Sequence, residues 1–183
     1  MTKQTKWAVG LTLGFTLLFC ASFVFFFFRA QRQVGATTKE PAASGKAIGK
    51  PLPPAQFVDS SDQPLDDHTI RNGKVILVFV TPDCAACKRE AQFLETLVGQ
   101  KPDVRFYGVI SYGEKKSSLQ AAEQVFPFKV IFDEKGQLAA ALGINRVPIK
   151  IFLENGTIRK AWGGATVDDE AKLAFSQWLS ELP

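Results

Sequence analysis

Residues 75–98 decide the fold, and they read Val-Ile-Leu-Val-Phe-Val-Thr-Pro-Asp-Cys-Ala-Ala-Cys-Lys-Arg-Glu-Ala-Gln-Phe-Leu-Glu-Thr-Leu-Val. The run Val75–Val80 is apolar and mostly β-branched, which is typical of a strand buried on both faces. Thr81-Pro82-Asp83 ends this strand. The residues after it favour a helix and repeat apolar positions every three or four residues. A buried strand therefore leads into a helix whose first turn carries Cys84 and Cys87.

The spacing of these two cysteines points to redox chemistry. Two cysteines three residues apart at a helix start can close a small disulfide ring with little backbone movement. The free amide groups and the positive end of the helix dipole favour a thiolate on the first cysteine. We therefore predict that Cys84 is the attacking sulfur and that Cys87 resolves the mixed disulfide.

Two other interpretations of the cysteine pair are a metal site and an inert buried pair. A tetrahedral zinc site needs four ligands. The chain offers only one further cysteine, Cys20 in an apolar segment, and one histidine, His68 in a polar stretch. We expect His68 at the surface, no metal and no cofactor.

The charge distribution separates the N-terminal segment from the rest of the chain. The first 50 residues contain seven basic residues and one acidic residue, which leaves 15 basic and 17 acidic residues in the remainder. The positive net charge of +4 therefore comes from the N-terminal segment, and the remainder of the chain is slightly acidic. It does not indicate nucleic-acid binding, which would need a basic face on the folded domain.

An uncharged apolar run of 22 residues, 7–28, is long enough to span a bilayer as a helix. It ends in phenylalanine and arginine without a small-residue cleavage site, which favours a retained signal-anchor over a cleaved signal peptide. We predict a short tail at 1–6, a single-pass anchor at 7–28, a flexible linker at 29–51 and a folded domain at 52–183. The Lys and Arg counts near the two ends do not favour a cytoplasmic N-terminus, since Arg29, Arg32, Lys39 and Lys46 slightly oppose it. Hydropathy alone leaves the orientation open.

The rest of the domain predicts alternating strands and helices. After the central helix come a buried strand at 104–110, a polar helix at 114–124, a short strand at 129–132 and a helical segment at 138–142. Strands at 149–153 and 157–162 flank Asn155-Gly156, a strong hairpin signal, and Thr166 opens a final helix. An N-terminal hairpin is expected between Pro53 and Leu65. This order predicts a three-layer α/β/α sandwich with a mixed sheet.

With these motifs in place, the sequence resembles the thioredoxin superfamily, and in particular its membrane-anchored thiol–disulfide oxidoreductases of the TlpA/ResA-like group. The resemblance covers about residues 52–182. It is carried by the CxxC motif after a buried strand, by Glu90 three residues beyond Cys87, by Val147-Pro148 before a strand, and by the anchor, tether and extra hairpin.

The resemblance implies a thioredoxin-like fold, a cis Val147–Pro148 bond facing the cysteines, and an exported domain on the periplasmic side of the cell membrane. It also implies disulfide exchange with protein thiols, including reduction of apocytochrome c cysteines during cytochrome c maturation, with electrons from a membrane donor. Val147 and Pro148 would present backbone groups to an extended substrate peptide.

Three positions depart from the family pattern. Asp83 stands where a tryptophan usually precedes the first cysteine, Ala85-Ala86 replaces a dipeptide that commonly contains proline, and Val78 stands where thioredoxins carry a buried aspartate. Asp83 has two interpretations: its carboxylate disfavours the Cys84 thiolate, or it is an ordinary helix N-cap.

Two alternative functions belong to other classes. Thr81, three residues before Cys84, fits a peroxide reductase of the peroxiredoxin type, although Leu77 occupies the position where that family has proline. A non-catalytic copper-handling module is the other alternative, but the only histidine, His68, precedes the CxxC motif instead of following it.

Glu90 is the remaining candidate for the site. It lies on the same helix as Cys87 at a spacing that places the two side chains side by side. The apolar neighbours Ala91, Phe93 and Leu94 indicate that this side of the helix turns inward. We predict that the Glu90 carboxylate accepts the proton of Cys87 before Cys87 attacks. The alternative is a solvated glutamate on an exposed helix face.

Overall fold

The fold is taken from a computed structural model, which describes residues 46–182. The deciding stretch forms a strand and a helix, as predicted, with the helix beginning directly after Cys84. The elements are β1 Phe57–Val58, α1 Asp67–Arg71, β2 Lys74–Phe79, α2 Ala85–Leu97, β3 Val104–Ile110, α3 Lys115–Glu123, β4 Lys129–Asp133, a 3-10 turn Glu134–Gly136, α4 Gln137–Ala141, β5 Ile149–Glu154, β6 Thr157–Gly163 and α5 Asp169–Ser180.

The strands form one mixed sheet in the order β1-β4-β3-β2-β5-β6. β2 is the hub: it pairs in parallel with β3 and antiparallel with β5. β3 also pairs in parallel with β4, while β1 and β6 add antiparallel edges next to β4 and β5. The predicted mixed sheet is therefore confirmed, with its parallel part made by the first half of the domain.

Helices cover both faces of the sheet, which confirms the three-layer arrangement. Alternate residues of β2 point to opposite sides. Ile76 and Val78 pack with α2, α3 and α5 in what we call the α2 core, while Val75, Leu77 and Phe79 pack with α1 and α4 in the α4 core. Because both faces of β2 are buried, its apolar run is continuous instead of alternating.

The turn between β5 and β6 is the hairpin predicted from Asn155-Gly156. Both residues have positive φ, 48° and 72°, as a tight two-residue hairpin turn requires. A Cβ at position 156 would lie 3.2 Å from the Arg71 Cβ. Glycine therefore suits both the backbone conformation and the space here.

Two helices differ from the sequence prediction. The helix α1 was not predicted. It is a single short turn that carries exposed His68, and its N-cap is Asp66, whose Oδ1 accepts a hydrogen bond from the His68 N–H at 3.0 Å. The final helix begins at Asp169 with Asp168 as its N-cap, not at Thr166. The predicted cap at Thr166 was wrong: Asp168 is the cap, and its Oδ1 accepts a hydrogen bond from the Ala171 N–H at 2.8 Å.

The N-terminal hairpin is present but short. Its closing bonds run from the Asp59 N–H to the Gln63 carbonyl at 3.0 Å and from the Leu65 N–H to the Phe57 carbonyl at 2.8 Å. Most of its pairing is with β4, where Phe57 lies opposite Asp133. The hairpin thus supplies one edge of the sheet.

Ordered contacts begin a few residues before the predicted domain start at residue 52. The Gly49 N–H donates to the Ile158 carbonyl at 2.7 Å, and the Ile158 N–H donates to the Lys50 carbonyl at 2.9 Å. The segment 46–51, counted above with the linker, therefore runs along β6. The predicted tail and anchor, 1–6 and 7–28, lie outside the described residues. Among residues 46–182, no helix has the length and hydropathy needed to cross a membrane.

We expect the segment 46–51 to stabilise the domain. A chain that begins at residue 52 loses both hydrogen bonds to Ile158, at about 0.5–1.5 kcal/mol each. Its free energy of unfolding should be about 1–3 kcal/mol lower than that of a chain beginning at residue 46, as measured by urea denaturation of the two fragments. Equal stabilities would show that these bonds contribute nothing beyond what water replaces.

Candidate active site

The two cysteines form a disulfide at the start of α2. Their Cα atoms are 5.2 Å apart, within the range that a disulfide spans. Cys84 is the N-cap of α2, and its Sγ accepts a hydrogen bond from the Cys87 N–H at 3.0 Å. The sulfur of Cys84 thus occupies the position where a helix start favours negative charge.

The two sulfurs differ in exposure. Cys84 is half-buried at the edge of the α2 core, whereas Cys87 is 1% exposed within it. An incoming disulfide can therefore reach Cys84 but not Cys87. The roles of Cys84 as the attacking cysteine and Cys87 as the resolving cysteine stay a prediction, which this difference in exposure favours.

Glu90 is buried one turn beyond Cys87, as its apolar neighbours predicted. It is 1% exposed, so the alternative of a solvated glutamate is wrong. One carboxylate oxygen, Oε1, accepts a hydrogen bond from the Thr166 N–H at 2.9 Å and a second one from Lys150 Nζ. The other oxygen, Oε2, is buried and has no hydrogen-bond partner among the described residues.

Lys150 is the site residue that the sequence prediction missed. It lies in β5 opposite Val78, is completely buried, and points into the α2 core. Its ammonium group binds Glu90 Oε1 and donates to the Gly164 carbonyl at 2.9 Å. Burial lowers the pKa of Lys150 below its usual value, and the Glu90 carboxylate opposes that shift. The sequence does contain a signal that could have identified Lys150, because it is a lysine within the otherwise apolar strand run Ile-Lys-Ile-Phe-Leu.

The Val147–Pro148 bond is cis, as the resemblance implied. It lies at the same end of the sheet as the cysteines, because Ile149 at the start of β5 pairs with Phe79 at the end of β2, and the cysteines follow β2. The Pro148 carbonyl accepts a hydrogen bond from the Gly164 N–H at 2.9 Å. The substrate-binding role of Val147 and Pro148 stays a prediction.

Gly164 connects the buried ion pair to this proline loop. Its N–H bonds to Pro148 and its carbonyl accepts from Lys150, which in turn binds Glu90. One chain of hydrogen bonds therefore runs from the cysteine helix to the cis-proline loop. None of these long-range contacts is visible in the sequence spacing.

The family departures have structural counterparts. Asp83 is exposed and is not the N-cap of α2, because Cys84 takes that position. The N-cap interpretation of Asp83 was therefore wrong. Val78 is fully buried against α2 and lies opposite Lys150. The acidic group of this site thus comes from the helix, and its cationic partner from β5.

A metal site has little support within residues 46–182. There, no group of three or more His, Cys, Asp or Glu side chains is arranged to hold an ion. His68 lies on α1, and α1 packs on the sheet face opposite α2.

A family model places the chain among known proteins. The model of the AhpC/TSA family matches residues 48–170. The chain belongs to the AhpC/TSA family. That match spans both cysteines, Glu90, the cis-proline loop and Lys150. No curated protein sequence matches the chain at a significant level.

Solved structures share the fold of this AhpC/TSA-family domain. A protein assigned as the thiol:disulfide interchange protein DsbE of Chlorobium tepidum is 18% identical, covers 73% of this chain and 95% of its own, and has a TM-score of 0.63. A secreted Mycobacterium tuberculosis disulfide oxidoreductase homologous to Escherichia coli DsbE is 22% identical, with coverages of 69% and 95% and a TM-score of 0.57. M. tuberculosis DsbF is 18% identical, with coverages of 70% and 94% and a TM-score of 0.59. The fold is thus thioredoxin-like.

In the reduced protein, we expect iodoacetamide to alkylate Cys84 faster than Cys87. The reason is that Cys84 is accessible and caps the helix, whereas Cys87 is buried. Peptide mapping by mass spectrometry after short exposures measures the two rates, with Cys20 replaced by serine so that only the pair reacts. Faster labelling of Cys87 would reverse the assigned roles.

Proposed function

We propose that the protein is a membrane-anchored thiol–disulfide oxidoreductase that exchanges disulfides with extracytoplasmic protein thiols. The observation that carries this proposal is the disulfide between a partly exposed N-cap cysteine and a buried partner. A cis-proline loop lies at the same end of the sheet, because Ile149 pairs with Phe79 at the end of β2. A purely structural disulfide would not need one sulfur at the helix start and open to solvent. The fold shared with proteins named as disulfide oxidoreductases supports the same reaction class.

The reaction begins from the reduced pair. The Cys84 thiolate attacks one sulfur of a target disulfide, forms a mixed disulfide with it and releases the other target sulfur as a thiolate. Cys87 then loses its proton and attacks Cys84 Sγ. The Cys84–Cys87 disulfide forms, the mixed disulfide breaks, and the target leaves with both sulfurs reduced. Two electrons pass from the protein to the target.

The proton of Cys87 needs an acceptor because water has little access to a sulfur that is 1% exposed. Glu90 lies on the same helix face, three residues on. Long side chains in a helix extend toward its N-terminus, which directs the carboxylate toward Cys87. The unpartnered Oε2 leaves room for the proton. Glu90 is therefore the proposed general base.

The location and the partners remain part of the proposal. The uncharged segment 7–28 would anchor the domain, and the periplasmic side is proposed because an exchange enzyme of this kind acts where protein disulfides form. Apocytochrome c cysteines are the proposed substrates in cytochrome c maturation, with a membrane protein as electron donor.

Replacing Cys87 by serine should trap partners. The Cys87→Ser chain can form the mixed disulfide but cannot resolve it, so partner proteins should accumulate as covalent adducts. Adducts formed in the native membrane are identified by diagonal electrophoresis and mass spectrometry. The matched control is Cys84→Ser, which keeps an N-cap oxygen but lacks the attacking sulfur, and it should trap none. Equal trapping by both variants would reject the assigned order of attack.

Replacing Glu90 by glutamine should slow resolution of the mixed disulfide without unfolding the domain. Glutamine keeps an oxygen that can accept from Lys150 and Thr166 but cannot take the proton. The resolution rate near neutral pH should fall by up to about 100-fold, the lower end of a usual general-base contribution. Stopped-flow exchange across pH measures this rate. A wild-type pH profile in Glu90→Gln would remove Glu90 from the mechanism.

The peroxide-reductase alternative has a direct test. It rests on Thr81, three residues before Cys84, and it predicts that Cys84 consumes hydrogen peroxide catalytically. On the exchange proposal, peroxide oxidises the reduced pair only slowly, while a protein disulfide oxidises it quickly. Stopped-flow mixing of the reduced chain with each oxidant compares the two rates. Faster reaction with peroxide would favour the alternative.

A further inference from the structure

We propose that Lys150 is a positioning residue for the exchange reaction: its buried ammonium group holds Glu90 as a carboxylate and leaves Oε2 free to take the proton of Cys87. This inference rests on the proposed function, since it concerns the base of that reaction. It adds a residue from a strand far along the chain, 60 positions beyond Glu90.

The two oxygens of the Glu90 carboxylate have different partners. Lys150 and the Thr166 N–H both bind Oε1, so both directed interactions fall on one oxygen of the carboxylate. Oε2 receives none from the described residues. A buried acceptor without a partner is costly, and here it lies on the helix face of Cys87. The arrangement leaves a single open position for a proton.

Few charged side chains are buried among the described residues. The buried charged side chains among the described residues are Glu90, Lys150 and Asp133. Asp133 is occupied elsewhere, since its two oxygens accept from the Leu138 and Ala139 N–H groups at the start of α4. Lys150 is therefore the buried cation of the α2 core.

Other charged groups on the elements around the pair are further out. On α2, Lys88 and Arg89 are exposed, as is Asp83 before the helix. The first turn of α5 carries exposed Asp169 and Glu170 after the exposed cap Asp168.

From β6, Lys160 stays partly exposed over the rings of Trp162 and Trp178, with its Nζ 5.1 Å from each ring centre. β2 faces the pair with Val78, and α5 faces it with the Phe175 ring, 6.0 Å from Lys150 Nζ. Glu90 thus depends on Lys150 for its counter-charge.

During the proposed reaction, a proton and a negative charge move between Cys87 and Glu90. When the Cys87 proton moves to Glu90 Oε2, the negative charge moves to Cys87 Sγ, and Lys150 remains as the buried counter-charge. Cys87 then attacks Cys84 Sγ, and the negative charge leaves on the target thiolate. A protonated Glu90 beside a charged Lys150 is then a buried net cation. That state is unfavourable, so Glu90 releases its proton to solvent and the site returns to its starting charge.

The stability of the fold does not by itself require a buried ion pair. Burying an ion pair gives little net stability, because the loss of hydration offsets the attraction, and an apolar replacement of the same shape is often as stable. The stability of the fold therefore does not account for Lys150. A base that must be both shielded from water and charged does account for Lys150. Without a cation nearby, a buried carboxylate takes up a proton and ceases to be a base.

The test uses 5,5′-dithiobis(2-nitrobenzoate), a small disulfide that separates the two steps by colour. Attack by Cys84 releases one thionitrobenzoate, and resolution by Cys87 releases the second. All proteins are the reduced full chain in detergent with Cys20 replaced by serine, so that the pair holds the only thiols. Stopped-flow absorbance from pH 5 to pH 10 gives both rates and their pH midpoints.

In Lys150→Met, we expect the midpoint of the second step to rise by about one pH unit or more, because Glu90 without its cation keeps its proton. At neutral pH the second step should be about tenfold slower, with recovery toward the wild-type rate at high pH. The first step should keep its rate, because Cys84 does not use Glu90. Lys150→Gln, which retains hydrogen-bond donors but no charge, should show the same shift.

The matched control is Lys160→Met. Lys160 lies on the neighbouring strand and on the same side of the sheet, but it contacts tryptophan rings and not Glu90. Its replacement should leave the midpoint of the second step unchanged. The Glu90→Gln/Lys150→Met double variant has no charge at either position of the pair. Its second step should match that of Glu90→Gln alone at every pH, since Lys150 acts only through Glu90.

Each outcome decides the inference. A wild-type midpoint in both Lys150→Met and Lys150→Gln, with the folded state checked by circular dichroism, overturns it. If the single variants do not fold, a double variant whose second step differs in rate or midpoint from that of Glu90→Gln overturns it instead, and an identical profile supports it. A wild-type chain that releases no thionitrobenzoate through Cys84 refutes the proposed function itself, which keeps the two failures distinct.

Discussion

The ion pair between Glu90 and Lys150 is the constraint on which the site depends. Burying two charges costs several kcal/mol each before their attraction is counted, so the fold must supply partners for both. It does so from three elements: α2 carries the carboxylate, β5 carries the ammonium group, and the loop after β6 supplies the Thr166 N–H and the Gly164 carbonyl. These partners hold the cysteine helix, the central sheet and the last loop in one arrangement.

This arrangement gives the two cysteines different environments at a separation of one helical turn. Cys84 sits at the helix start, where backbone amides and the helix dipole favour a thiolate. Cys87 sits in the apolar core, where ionisation of a thiol is disfavoured unless a base is present. In the proposed mechanism, the buried Glu90 carboxylate accepts the thiol proton, so that Cys87 reacts without opening the core to water.

The cis-proline loop is tied to the same network. Gly164 bonds to Pro148 with its N–H and to Lys150 with its carbonyl. The loop proposed to contact the substrate and the residues proposed to move the proton are therefore neighbours through one glycine. Its φ of 82° lies in the region that glycine adopts without strain. In this proposal, chemistry and peptide recognition share the end of the sheet at which β2 ends and β5 begins.

The sequence by itself determined most of the elements and the cysteine pair. Continuous apolar runs identify strands buried on both faces, Asn155-Gly156 identifies the hairpin, and Cys84 and Cys87 are visible because their chemistry depends on local spacing along one helix. Glu90 was also found this way, because a helix places residues three apart side by side. These signals are local, so one sequence is enough to read them.

Only the tertiary structure decided the partner of Glu90, the cap of α5 and the role of residues 46–51. Lys150 is 60 residues from Glu90, and it reaches the carboxylate because β5 pairs antiparallel with β2 and turns alternate residues toward α2. The Thr166 N–H bonds to the same oxygen, and the helix begins three residues later, at Asp169 with Asp168 as its cap. Such contacts depend on strand register and on which face of the sheet a residue occupies. Spacing along the chain does not encode either of these.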